Sequence, residues 1–131
     1  MVETKSTTSA RGKVAELRFI QAALEQGWDV ALPVSEDTAY DVLVDETGDG
    51  KFVRVQVKRT WEKNGALVVN LVRSDGSRYR RTDCDYLAAV DTYTQRIWYL
   101  PWDTVCTYTR KRITSDMDVA LLGEDYDDVP F

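Results

Sequence analysis

The sequence contains no histidine, the side chain most used for acid and base catalysis near neutral pH and for zinc ligation. Imidazole zinc sites, Ser-His-Asp triads and histidine-dependent nucleases are therefore excluded. Any catalytic chemistry in this chain has to rest on carboxylates, lysine and a bound metal ion.

Cysteine and long hydrophobic runs are also scarce. Cys84 and Cys106 are the only two cysteines and form no Cys-x-x-Cys pair, so we expect reduced structural thiols. No apolar run approaches the ~20 residues that span a bilayer, and residues 1–9 are polar, unlike a signal peptide. We therefore expect no membrane association. A chain of 131 residues that is 44% hydrophobic predicts one folded domain over residues 1–131.

Residues 10–26 are predicted to form a helix, with Val14, Leu17, Ile20 and Leu24 as its buried stripe and Gly27 after its end. Glu16 precedes Leu17, so it should lie about 100° round the helix from that stripe, at the edge of the buried face.

Two strands joined by the turn-rich segment 46–50 follow. Side chains alternate along a strand, so in residues 52–58 the valines face one way while Arg54, Gln56 and Lys58 face the other. The preceding run, residues 40–45, begins with Tyr40 and Asp41. If the two runs form a hairpin, Asp41 and Lys58 lie near each other.

Further along, residues 66–72, 85–90 and 96–100 read as strands, and Pro101 either ends the sheet or precedes a short helix. The expected core covers about residues 10–101, and an acidic tail covers about residues 116–131. Residues 119–122 carry too little apolar sequence for an assignment.

Charge is distributed unevenly. The net charge is −5, yet residues 51–81 hold nine basic and two acidic side chains. Such a cationic segment is typical of a surface that follows phosphates, although a merely solvated hairpin gives the same pattern.

The ordered set Glu16, Asp41 and Gln56-Val57-Lys58 resembles the PD-(D/E)xK nuclease superfamily, which includes restriction enzymes, Holliday-junction resolvases and homing endonucleases. The likeness covers about residues 11–101 and is that of a small single-domain endonuclease. The Gln-x-Lys form is similar to that of group I intron homing endonucleases, since Gln56 stands where the superfamily usually has Asp or Glu.

This resemblance implies an α/β fold with a restriction-endonuclease-like core, in which helices flank a central mixed β-sheet. It also implies a catalytic set of Asp41, Lys58, Gln56 and Glu16, and an Mg²⁺ ion, with Mn²⁺ as a substitute. The expected metal ligands are Asp41, Glu16 and the carbonyl of Val57. We expect Lys58 to act electrostatically, because a lysine ordinarily keeps its proton at neutral pH.

DNA is the partner that the resemblance implies, which predicts an intracellular protein, cytoplasmic or associated with DNA. A homo-oligomer, dimer or tetramer, is expected, since one small chain offers one active site for two strands. The candidate DNA contacts are Tyr79 and the basic side chains around the active strand: Arg54, Arg59, Lys63, Arg73, Arg78, Arg80 and Arg81.

Three alternatives stay open. The first is a Holliday-junction resolvase, which would read branch shape. The second is a DNA-binding module that has lost cleavage, which the uncharged Gln56 allows. The third is an interaction protein that uses its acidic tail or an aromatic surface of Trp98, Tyr99 and Trp102.

Overall fold

The computed structural model of the chain describes residues 8–73, 75–113 and 120–122. Its elements in chain order are α1 (Thr8–Glu25), β1 (Asp29–Ala31), β2 (Val42–Asp45), β3 (Val53–Arg59), β4 (Trp61–Lys63), β5 (Ala66–Asn70), β6 (Tyr86–Val90), β7 (Ile97–Pro101), α2 (Trp102–Val105), β8 (Arg110–Ile113) and β9 (Ala120–Leu122). None of the helices in these residues is long and apolar enough to cross a membrane.

Six strands form the central sheet in the order β1-β2-β3-β6-β7-β9. The pair β3 and β6 is parallel, and the other neighbouring strands in this sheet are antiparallel. The predicted α/β class with a mixed central sheet is therefore confirmed. A separate antiparallel sheet, in the order β4-β5-β8, was not predicted.

Apolar side chains cover the central sheet on both faces. On one face, α1 packs on alternate residues of β3 and β6, among them Val55, Val57 and Ala88. On the other face, Leu87 and Ala89 of β6 pack with residues of the small sheet and of α2. Because both faces are buried, β6 reads as a continuous apolar run without polar alternation.

The helix is where the sequence predicted it, but its buried face is not. Val14, Leu17 and Leu24 are each more than half exposed, so the predicted stripe is wrong for these three residues, whereas Ile20 packs against the core. The residues that α1 buries are small or aromatic: Ala15, Phe19, Ala22 and Ala23. Alanines allow the helix axis to approach the sheet closely, and Phe19 fills the remaining space beside Tyr99, with ring centroids 5.9 Å apart.

Three aromatic residues proposed as an interaction surface are interior. Trp98, Tyr99 and Trp102 are all buried, so the chain has no aromatic surface at these positions. Both cysteines are free and buried, and burial raises the pKa of the Cys84 thiol to about 12. Apart from β9, the acidic tail over residues 116–131 lies outside the described residues.

Candidate active site

Asp41 lies directly before β2 and faces the edge of β3. Its backbone N–H donates to the carbonyl of Val55 at 2.9 Å, which extends the pairing of the two strands by one residue. Its side-chain Oδ2 accepts the backbone N–H of Val57 at 2.8 Å and the amide of Gln56 at 2.9 Å. The carboxylate is therefore held where β2 ends and β3 continues.

The carbonyl of Val57 shares this edge. A strand residue directs its N–H and C=O to the same neighbouring strand, and the Val57 N–H points to Asp41. The register of β2 starts at the pair Val42 and Val55, so β2 does not reach Val57. The third predicted metal ligand thus lies beside the first.

Glu16 comes to the same place from α1. A cavity of about 320 Å³ is lined by Glu16, Lys13, Tyr40 and Asp41, together with residues of the loop after β1. Glu16 has 18% of its side chain exposed, and its Oε1 lies 3.2 Å from Nζ of Lys13. Glu16 thus lies at the edge of a buried face, although that face is the one of Ala15 and Phe19 and not the predicted stripe. Lys13 was not predicted as a site residue, although a Lys and a Glu three residues apart on a helix often form an ion pair.

The two carboxylates influence each other. Burial raises the pKa of Asp41 above its usual value and the charge of Glu16 raises it further, while the hydrogen bond from Val57 and the charges of Lys58 and Lys13 lower it. Burial and repulsion prevail. A bound cation would favour the ionised carboxylate and so offset the effects that raise the pKa of Asp41.

Lys58 is on the face of β3 opposite to the valines, as the alternation predicted. Its Nζ lies 3.4 Å from the carbonyl oxygen of Val72 and 5.1 Å from the centroid of the Tyr79 ring. The Arg73 guanidinium lies 4.9 Å from the same centroid. Tyr79, predicted as a DNA contact, thus also supports the lysine that the resemblance makes catalytic.

Gln56 is buried and uses its amide as a donor to Asp41. In this arrangement it orients the aspartate and does not add a charged ligand. Among the described residues, no group of three or more Asp, Glu, Cys or His side chains is placed to hold a metal ion. The available donors are two carboxylates and a carbonyl, which suit Mg²⁺ because this ion keeps several of its waters.

The predicted DNA contacts do not form one free surface. Arg54 contacts both carboxylate oxygens of Asp85, at 3.2 and 3.3 Å, and Arg73 and Arg80 each pair with Asp83. Arg78 donates to the carbonyl of Thr107. Three others have no hydrogen-bond or ion-pair partner among the described residues: Arg59, Lys63 and Arg81.

Comparison with known proteins places these observations in a family context. A family model described as PD-(D/E)XK endonuclease matches residues 6–118. Among solved structures, a bacterial homing endonuclease, I-Ssp6803I, is similar with a TM-score of 0.74 and 28% sequence identity, over 86% of this chain and 81% of that chain. No curated protein matches the sequence. The central sheet with α1 thus has the restriction-endonuclease-like architecture that the sequence predicted.

Proposed function

Because the chain belongs to the PD-(D/E)XK endonuclease family, we propose that it is a divalent-metal-dependent endonuclease that hydrolyses phosphodiester bonds in DNA. The observation that carries the proposal is the convergence of Asp41 and Glu16 on one cavity, within the electrostatic range of Lys58. Two acids and a lysine are what cleavage of an anionic ester requires, since negative charge must be neutralised and a water activated.

Each residue of this site has a distinct task. Asp41, Glu16 and the carbonyl of Val57 would hold Mg²⁺, or Mn²⁺ in its place. When bound, the ion neutralises phosphate oxygens and lowers the pKa of a coordinated water. Gln56 and the Val57 amide fix one oxygen of Asp41. Lys58 stabilises the negative charge that develops on the phosphate.

Magnesium-dependent nicking of supercoiled plasmid tests this function. The wild-type protein should nick the plasmid in Mg²⁺ or Mn²⁺ and not in EDTA. Asp41→Asn should bind the same DNA without cutting it, because the amide keeps the shape of the side chain and loses its charge. A wild-type protein that shifts DNA but cuts neither the plasmid, nor a library of duplexes, nor four-way junctions in either metal would instead be the non-catalytic binding module that Gln56 allows.

The substrate that we favour is duplex DNA with a specific base sequence, as for a homing endonuclease. The support is the similar solved structure, whose title describes a bacterial homing endonuclease. A Holliday-junction resolvase is the competing assignment. Cleavage of a library of linear duplexes beside four-way junctions separates the two, because a resolvase reads branch shape whereas a homing enzyme reads base edges.

The proposal includes a homo-oligomer. One chain supplies one set of Asp41, Glu16 and Lys58, so cutting both strands in one event needs a second copy in a closed assembly. Sedimentation of the purified protein with and without DNA should show a dimer or a tetramer. A monomer on DNA that still makes double-strand breaks would contradict it.

A further inference from the structure

A second cavity, of about 410 Å³, lies at the end of β3 just beyond Lys58 and holds none of the proposed metal ligands. The described residues that line it come from α1, the end of β3 and the turn between β6 and β7: Ala10, Arg11, Val14, Arg59, Thr92 and Tyr93. Arg59 directly follows Lys58, and Arg11 and Val14 come from the same half of α1 as Lys13 and Glu16. The cavity is thus a neighbour of the proposed metal site.

Its charge suits an anion. Arg11 and Arg59 have no hydrogen-bond or ion-pair partner among the residues that the structure describes, in contrast to Arg54, Arg73 and Arg80. No acidic side chain is among the described lining residues. Two unpaired guanidinium groups beside the hydroxyl of Thr92 offer several donors to a phosphate.

The remaining wall is an aromatic ring on a rigid loop. Tyr93 is 95% exposed, yet its backbone is fixed, because the buried carboxylate of Asp91 accepts the N–H of Tyr93 at 3.0 Å and the hydroxyl of Thr94 at 2.9 Å. Arg18 of α1 donates to the carbonyl of Gln95 at 3.1 Å and ties the loop to the helix. A ring exposed on a fixed loop offers a stacking surface with little loss of entropy on binding.

We propose that this cavity binds the nucleotide next to the cleaved bond, with Arg11 and Arg59 on its phosphate and Tyr93 stacked on its base. The inference rests on the proposed function. Arg59 is two residues beyond Val57, which is about 7 Å along a strand. Phosphates of one DNA strand recur about every 3.4 Å along the duplex axis, so a phosphate next to the one at the metal site falls within this distance. A base inside a duplex has to leave its stack to lie on the Tyr93 ring, which costs free energy, so DNA that already has an unpaired nucleotide beside the cut should bind more tightly than an intact duplex.

Binding measured in the Asp41→Asn background tests the cavity apart from cleavage. Fluorescence anisotropy compares a blunt duplex with the same duplex carrying a short single-stranded overhang. Tyr93→Ala should weaken binding of the overhang DNA about tenfold, as expected for one lost stacking contact, and leave the blunt duplex unchanged. Tyr93→Phe keeps the ring and should bind like the parent.

The phosphate contact has its own readout. Replacing both Arg11 and Arg59 with Gln should reduce the slope of log K against log salt by about one, the effect of one lost phosphate contact. Lys51→Gln is the matched control for charge, because Lys51 lies before the opposite end of β3. Its salt slope should stay that of the parent.

The two proposals fail in different ways. Overhang preference that is equal in Tyr93→Ala and the parent overturns the cavity assignment, as does a salt slope of the arginine variant that matches Lys51→Gln. Plasmid nicking by the wild-type protein is scored separately. Absence of cutting on the plasmid, on the duplex library and on four-way junctions overturns the endonuclease proposal even where the overhang preference is present.

Discussion

The side-chain amide of Gln56 donates a 2.9 Å hydrogen bond to Oδ2 of Asp41, the oxygen that also accepts the Val57 N–H. Oδ1 of Asp41 accepts no hydrogen bond from any residue that the structure describes. One oxygen is thus used to orient the carboxylate and the other is left for a cation. A neutral residue at position 56 serves the first task without adding repulsion.

Gln56→Glu should make the stability of the protein depend more strongly on bound metal. Without metal at neutral pH, the new carboxylate would repel Asp41 and could not donate the charge-assisted hydrogen bond that the Gln56 amide makes. The expected cost is about 2 kcal/mol in the free energy of unfolding. With Mg²⁺ the added charge becomes a ligand, so Mg²⁺ should stabilise this variant more than it stabilises the wild type. Thermal unfolding with EDTA and with Mg²⁺ measures both effects.

Gln56→Met is the control for that variant, because it removes the amide without adding charge. Its stabilisation by Mg²⁺ should equal that of the wild type or fall below it. If Gln56→Glu gained no more from Mg²⁺ than Gln56→Met, position 56 would lie outside the reach of the ion.

Asp41→Asn should stabilise the metal-free protein at neutral pH. Because burial raises the folded-state pKa of Asp41, folding favours the protonated acid. The free energy of unfolding of the wild type therefore falls as the pH rises from about 4, the unfolded value, through the folded pKa. Asparagine cannot ionise and still accepts the hydrogen bonds of Gln56 and Val57. Urea unfolding in EDTA at several pH values should show the advantage of the variant at pH 7 and its loss below about pH 4; an advantage independent of pH would contradict the assigned cause.

Lys58→Ala should reduce the single-turnover rate of cleavage by about 10²–10³-fold, by analogy with the loss of one transition-state donor. Binding should change little, because the charge acts on the transition state more than on the bound substrate. Lys63→Ala removes the same charge from the small sheet and should affect binding but not the rate. Normal cleavage by Lys58→Ala would remove this residue from the catalytic set.

The alternation of β3 was predictable because it is local. Val55 and Val57 had to face the interior, which places Gln56 and Lys58 on the opposite side whatever the rest of the fold. The hairpin with β2 followed from the turn between them. The placement of Asp41 at the edge of β3 could therefore be predicted from sequence.

The buried face of α1 could not be predicted in this way. The helix carries two apolar stripes, and the larger side chains at Val14, Leu17 and Leu24 outweighed the alanines in the pattern. The sheet accepts the alanine stripe because it packs closer. Close approach is a property of the assembled pair and is absent from the helix sequence.

The small sheet was missed for another reason. β4 and β8 are short and charged, with Arg110-Lys111-Arg112 at the start of β8. They become strands through pairing with β5, and through contacts such as the Arg110 guanidinium, 5.0 Å from the Trp61 ring centroid. Short segments made mostly of charged residues give little sequence signal for a strand, because strand formation depends on packing against neighbours.

Arg54→Gln should lower stability and leave the salt dependence of DNA binding unchanged. Arg54 contacts Asp85 through its guanidinium and through its backbone N–H at 2.7 Å, and it donates to the carbonyl of Thr82 at 2.8 Å. Since the pair is partly exposed, the loss should be about 1 kcal/mol in the free energy of unfolding.

The pH dependence of this loss identifies its origin. Burial alone would raise the pKa of Asp85, but the hydrogen bonds and charge of Arg54 hold that pKa below its usual value. The stability from this pair is therefore present above the unfolded pKa of about 4 and is lost as the pH falls through the folded pKa. Arg54 and Arg81 line one cavity of about 380 Å³, and Arg81 has no hydrogen-bond or ion-pair partner among the described residues, so Arg81→Gln is the control. It should weaken DNA binding at unchanged stability, and the reverse pattern in the two variants would mean that Arg54 contacts DNA and Arg81 does not.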